Sequence, residues 1–194
     1  PANLRVQLGF SSCCMILLLD NYDSFTWNLH HYLVQLTDEE VIVKRNDAVS
    51  LKEASSFSMF IFSPGPGLPS EAGCMAELID QFMGKRPMLG ICLGHQAIGL
   101  HAGAKLTNLP QVLHGVQKEI VVTDTTDRLF KGLETQLTTG HYHSWYLDSE
   151  TIPESLKVTA VDEAQRVMAF SHVKHPVSGV QFHPESVMTP SGMN

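Results

Sequence analysis

Two short segments of this 194-residue chain hold the side chains best suited to chemistry: Pro87–Gly99 and Gly179–Glu185. In the first, Cys92 stands between Gly90 and Gly94, giving G-x-C-x-G, the thiol form of a nucleophile elbow. Such a sharp turn holds the nucleophile in a strained backbone conformation and leaves no room for flanking side chains, hence the two glycines. It also aims the first N–H groups of the following helix at the reacting centre, which favours negative charge there. A buried structural cysteine is the plain alternative, because free cysteine is among the most buried residue types. The second segment decides between them. Its strand Gly179-Val-Gln-Phe-His183 runs into Pro184-Glu185, and two residues of extended chain place His183 and Glu185 on the same side. A carboxylate beside an imidazole fixes its tautomer and stabilises its cation. Nucleophile, base and orienter are thus present in the order Cys92, His183, Glu185. The chemistry this implies is covalent attack on a carbonyl.

These side chains need strands and turns to hold them. Met88–Ile91 is a short apolar run of buried-strand length, and a helix follows from Gly94 to about His101. Met15–Asp20 is a continuous apolar run fitting a central parallel strand. Asp23 or Ser24 can cap the next helix, in which Phe25, Leu29, Tyr32, Leu33 and Leu36 recur at helical spacing as a core face. Asn21–Ser24 lie at the carboxyl end of that first strand, where open α/β sheets place ligands; making the turn is placed ahead of lining the site. Val41–Arg45 and Ser58–Phe62 are further strands. Ser63-Pro-Gly-Pro-Gly67 follows the last of these directly. Its prolines stiffen it and its glycines let backbone approach a ligand. Ser70 or Glu71 opens a helix through about Met83. From Lys105 the pattern turns β-rich, over Leu113–Thr123 and Gln136–Tyr146. Leu156–Val161 and Val167–His172 form a hairpin around Asp162-Glu163-Ala164. The fold class is therefore α/β: an open, mostly parallel sheet flanked by helices, with an added antiparallel section.

Composition narrows the function. A formal charge of −7 with no basic run argues against a nucleic-acid partner. No run of about eighteen apolar residues is present, so no membrane partner is expected. The four cysteines, Cys13, Cys14, Cys74 and Cys92, have no metal-ligand spacing. Reduced thiols in a cytoplasmic setting follow. Residues 1–14 show neither a long apolar stretch nor a small-residue cleavage pattern, so a signal peptide is not expected.

Five motifs in order, Asp20-Asn-Tyr-Asp-Ser-Phe-Thr26, Ser63-Pro-Gly-Pro-Gly67, Gly90-Ile-Cys-Leu-Gly-His-Gln96, Tyr142-His-Ser144 and Gln181-Phe-His-Pro-Glu-Ser186, resemble the class I, triad-type glutamine amidotransferases. Within that class the chain is most similar to the small subunits of anthranilate synthase and aminodeoxychorismate synthase. The resemblance runs from Met15 to the chain end. It implies a flavodoxin-like sheet and a domain over 15–194, with 1–14 as an extension of unknown role. It implies that Cys92, His183 and Glu185 are catalytic, with the N–H groups of Leu93 and Gly67 as the oxyanion site. Gly65, Pro66, Gly67, Gln96 and the backbone of Ser144 and Trp145 would hold L-glutamine. His95 is expected as a partly exposed helix residue. His143 rivals His183 as a base on residue type, but no carboxylate accompanies it. The resemblance further implies no metal or cofactor on this chain. Its implied partner is a chorismate-binding large synthase subunit, with Mg2+ on that partner. Anthranilate synthase component II is placed first. The alternatives are the small subunit of aminodeoxychorismate synthase, a stand-alone γ-glutamyl-type cysteine hydrolase and a catalytically silent docking subunit.

The chain departs from that pattern in three places. Many relatives have His-Gly-Lys where His114-Gly115-Val116 stands, and Arg where His141 stands. Both positions are expected near the mouth of the site, where a partner would touch. Relatives also usually continue with a last helix beyond the position of Ser191–Asn194, and its absence would expose core surface.

Overall fold

The computed structural model describes residues 14–193, so all of the 1–14 extension but its last residue lies outside the described residues. In chain order the elements are β1 (Met15–Asp20), α1 (Thr26–Leu36), β2 (Glu40–Arg45), α2 (Leu51–Ala54), β3 (Met59–Phe62), α3 (Met75–Phe82), β4 (Met88–Ile91), α4 (Leu93–Ala102), β5 (Leu106–Asn108), β6 (Val116–Val122), β7 (Gln136–His141), β8 (Trp145–Leu147), β9 (Leu156–Asp162), β10 (Val167–His172) and β11 (Val177–Val180). The main sheet runs β2-β1-β3-β4-β11-β10-β9-β6-β7, and β5 pairs with β8 apart from it. From β2 to β11 every pairing is parallel. From β11 to β7 every pairing is antiparallel. The expected parallel sheet with an antiparallel addition is therefore what the chain forms.

Alternation along β1 shows why both faces are covered. Leu17 and Leu19 join Phe60, Phe62, Met75, Leu78 and Ile98 in one core under α3 and α4. Ile16 and Leu18 join Leu29, Ile61, Ile91 and Val180 in another under α1. Strands buried on both faces read as unbroken apolar runs, and each large side chain so buried contributes about 1.5–3 kcal/mol. Strand order reverses between β1 and β3, and the crevice beyond their carboxyl ends is where open α/β sheets bind ligands. Cys92 follows β4, next to β3 in the sheet.

Several boundaries differ from the sequence expectation. No side chain caps α1 at its own N-cap, Phe25; instead Asp23 Oδ1 accepts from Phe25 N at 2.8 Å, and Asp20 Oδ1 accepts from Thr26 Oγ1 at 2.8 Å. Leu29 is buried, but Leu36 is 60% exposed. Leu33 packs partly against the core under α1, and Leu29, Tyr32, Leu33 and Leu36 all border an apolar cavity of about 200 Å³. Cys92, His183 and Glu185 do not line that cavity. The helix expected from Ser70 or Glu71 is a single 3-10 turn, Pro69–Glu71, and the α-helix begins only at Met75. Gly73 interrupts it at φ +53°, pressed against the Asn46 backbone, where Cys74 N donates to Asn46 O. The Leu113–Thr123 run forms a strand only from Val116, and Gln136–Tyr146 divides into β7 and β8, which join different sheets. The hairpin matches, with the buried carboxylate of Asp162 accepting from Ala164 N and Arg166 N in its turn. Among the described residues no helix is long and apolar enough to cross a membrane.

Candidate active site

Cys92 lies between β4 and α4 with φ +51° and ψ −98°, a conformation an L-residue adopts only under constraint. The surroundings enforce it. Cys92 N donates to Val180 O at 2.8 Å, and Gln96 N returns to Cys92 O at 3.0 Å. A Cβ on Gly90 would collide with Gly94 and the His95 N–H, and one on Gly94 would strike the Phe62 backbone. The glycines flanking the thiol are thus required by contact, as the elbow reading expects.

His183 lies three residues beyond β11, in extended chain that bridges to Gly140. Its carbonyl accepts from Thr189 Oγ1 at 2.6 Å, and Thr189 Oγ1 in turn accepts from Gly140 N at 2.9 Å. The imidazole is buried, with Tyr142 at 4.8 Å and Phe25 at 5.4 Å between ring centroids. Its Nδ1 lies 2.7 Å from Glu185 Oε1. Glu185 Oε2 makes no other hydrogen bond, so this carboxylate serves the imidazole alone. Burial works against the imidazolium. Cys92 on one side and Glu185 on the other outweigh it and push the His183 pKa up to about 10. By distance and angle Nε2 has no hydrogen-bond partner.

The Ser63–Gly67 loop reaches the elbow from the neighbouring strand. A Cβ on Gly65 would meet Asn21 and the Leu93 side chain. Gly67 is exposed with φ +73°, and Glu71 Oε2 closes the loop behind it by accepting from Leu68 N at 2.9 Å. Asn21 anchors the base of the loop. Its N–H donates to Ser63 Oγ and its side-chain amide to Ser63 O, both at 2.9 Å, while its Oδ1 accepts from Asn46 Nδ2 at 3.0 Å. Asn21 is thus a turn residue, as expected from its position.

Gln96 is buried one turn into α4, donating from Nε2 to Trp145 O at 2.9 Å and to Gln181 Oε1 at 3.1 Å. Gln181 Nε2 contacts Cys92 Sγ at 3.5 Å. The Ser144 carbonyl is taken by Leu109 N at 2.7 Å. Sequence reasoning does not single out Gln181 as a site residue. The available signal is its place two residues before His183, on the same side of an extended segment.

Two histidines, His95 and His141, depart from expectation, and His143 does not. His95 is not partly exposed but wholly buried, tilted against Phe170 at 4.7 Å between centroids, with the Gly179 backbone alongside. Neither ring nitrogen completes a hydrogen bond, and burial lowers its pKa to about 3. His143 faces Trp145 O and His141, not the thiol, so it does not compete with His183. His141 is 1% exposed and offers no surface to a partner, whereas His114 and Val116 are exposed beside Tyr142. Among the described residues no group of three or more His, Cys, Asp or Glu is arranged to hold a metal ion.

An elbow thiol and an imidazole–carboxylate pair at the carboxyl edge of a doubly wound sheet have the arrangement of a cysteine-nucleophile site. The sequence profile described as glutamine amidotransferase class-I matches residues 17–194, and the chain belongs to that family. It is 41% identical over 180 residues to aminodeoxychorismate synthase component 2 of Escherichia coli K12, covering 92% of this chain and 95% of that one. It is 43% identical over 185 residues to anthranilate synthase component 2 of Pseudomonas aeruginosa, covering 92% and 90%. Among solved structures, a putative GMP synthase component from Thermoplasma acidophilum superposes with a TM-score of 0.82 at 25% identity, covering 93% of this chain and 89% of that one.

Proposed function

We propose that this chain hydrolyses L-glutamine to glutamate and ammonia and passes the ammonia to a chorismate-using synthase subunit. The observation that carries the reading is Glu185 Oε1 at 2.7 Å from His183 Nδ1, together with the strained elbow that holds Cys92 after β4. The Cys92 thiolate attacks the side-chain carbonyl carbon of glutamine. Leu93 and Gly67 N–H groups receive the oxyanion, each such donor being worth about 3–4 kcal/mol where one has been removed elsewhere. His183 gives its Nε2 proton to the departing nitrogen, which leaves as ammonia, and a thioester remains on Cys92. The now neutral His183 takes a proton from water, hydroxide adds to the thioester, and glutamate leaves as the thiolate reforms. Gly65, Pro66, Gln96 and the Ser144–Trp145 backbone hold the substrate amino acid. The reading places no cofactor on this chain and assigns Mg2+ to the partner. Its setting is cytoplasmic.

Relatives of comparable identity carry the aminodeoxychorismate and the anthranilate name. Both chorismate-using synthases stay as acceptors, with anthranilate first. The test is reconstitution with each large subunit. Glutaminase activity of the isolated chain is expected to be low and to rise on adding the true partner. Cys92→Ala should abolish glutamine-dependent synthesis and leave ammonia-dependent synthesis by the partner intact. Full activity without any synthase would support a stand-alone hydrolase instead.

A further inference from the structure

A string of buried side chains runs from the far edge of the sheet toward the thiol. Thr139, His141 and His143 alternate along one stretch of chain, so they face the same side. Thr139 Oγ1 lies 2.9 Å from His141 Nε2, His141 Nδ1 lies 3.1 Å from His143 Nε2, and His143 Nδ1 lies 2.9 Å from Trp145 O. The same Trp145 oxygen accepts from Gln96 Nε2, which also donates to Gln181, whose amide reaches Cys92 Sγ.

Only one proton arrangement satisfies the string with neutral rings. Trp145 O can only accept, so His143 carries its hydrogen on Nδ1. Its bare Nε2 must then accept from His141 Nδ1–H. The bare His141 Nε2 must accept from the Thr139 hydroxyl, which turns away from Lys118 O at 3.3 Å. Neutral rings are what the surroundings impose. Burial lowers His141 to about 3, aided by His143, His183 and Lys118, and lowers His143 to about 4, against the Trp145 hydrogen bond and Asp162, which raise it, and with His183 and Arg166, which lower it further.

We propose that His141 is a positioning residue for glutamine: through a one-directional donor string, Thr139 to His141 to His143, it fixes the Trp145 peptide and the Gln96–Gln181 amides around the nucleophile. The inference rests on the glutamine amidotransferase reading and deepens it.

The test has two arms on the full chain. Long-range 1H–15N correlation at pH 7 is expected to show both His141 and His143 neutral, protonated at Nδ1 and bare at Nε2. Protonation at Nε2 of either ring overturns the string, whatever the activity. In kinetics with the large synthase partner, His141→Phe keeps a ring but cannot donate. It is expected to raise the glutamine KM about 5–10-fold, the loss of roughly one hydrogen bond, with kcat within about 3-fold. His141→Asn places an amide N–H near the Nδ1 position and is expected to return KM to within about 3-fold. Alkylation of Cys92 by iodoacetamide, which needs no glutamine contact, should be unchanged in both. An unaltered KM in His141→Phe, or no rescue by His141→Asn, overturns the positioning role. If His141→Phe does not fold, Thr139→Val removes the first donor at constant shape and should raise KM about 2–5-fold; no rise would count against the proposal. Absence of glutamine turnover by the wild-type complex would sink the functional reading instead, and the tautomers would still be read independently.

Discussion

At the scale of single residues, Glu185 decides the charge that His183 carries. The imidazole is buried between Tyr142 and Phe25, a setting that alone would favour the neutral ring. The carboxylate at 2.7 Å and the facing sulfur reverse that preference and hold the ring protonated up to about pH 10. Glu185→Gln keeps the shape and removes the charge. The expected result is a His183 that loses its proton at lower pH, so the alkaline limb of Cys92 alkylation moves down. Glutaminase kcat should fall by about 10²–10⁴, the range seen when a triad orienter or a general acid–base is disabled. A pH–rate series of haloacetamide alkylation checks the first, and steady-state kinetics the second. The His183–Glu185 contact and the strained turn at Cys92 were legible in the sequence because each depends on spacing within one short segment. Gln181 was not, because its partners Gln96 and Cys92 lie 85 and 89 positions away along the chain. The His141–His143 pair was not, because it depends on which face of β7 turns inward.

Elements succeed or fail as readings according to whether local sequence decides them. The elbow did, since two glycines bracket the thiol and a strand precedes it. Its constraint is steric and can be measured: Gly94→Ala would push a methyl group into the Phe62 backbone. Overpacking of this kind costs about 1–3 kcal/mol. A lowered thermal midpoint is therefore expected, together with loss of glutaminase activity as the strained Cys92 conformation relaxes. Gly103→Ala is the useful contrast. Nothing lies within 4 Å of a Cβ there, but its φ is +108°, so any loss of stability should come without loss of the site. The β9–β10 hairpin was also legible, because alternation and a polar turn carry it. The helix expected from Ser70 was not, because Gly73 is held by the backbone of Asn46, a residue far earlier in the chain. His95 differs from expectation for a related reason. A polar residue one turn into a helix looks exposed until α4 is seen with β11 and Phe170 against it.

At the scale of the whole molecule, the buried histidines His95, His141, His143 and His183 shape the response to pH. Below pH 6.5 the unfolded chain takes up protons on His95, His141 and His143 that the folded chain refuses until about pH 3 to 4. Stability should therefore fall with falling pH across that window, by up to about 1.4 kcal/mol per pH unit for each ring. His183 works in the opposite sense. Its stabilising contribution is fully present below pH 6.5 and is lost as pH rises toward about 10. Urea midpoints taken from about pH 4 to about pH 9 should pass through a maximum near neutrality, and the acid limb should flatten when His95 is replaced by Phe or Leu. A monotonic rise through the alkaline range would contradict the His183 assignment.

The covalent step itself can be observed. Protein incubated with L-glutamine, quenched in acid and mapped by peptide mass spectrometry should carry a γ-glutamyl thioester on the peptide containing Cys92. The adduct should accumulate when His183→Asn slows hydrolysis more than attack. Label on Cys14 or Cys74, or turnover of glutamine with Cys92 replaced by Ala, would contradict the account.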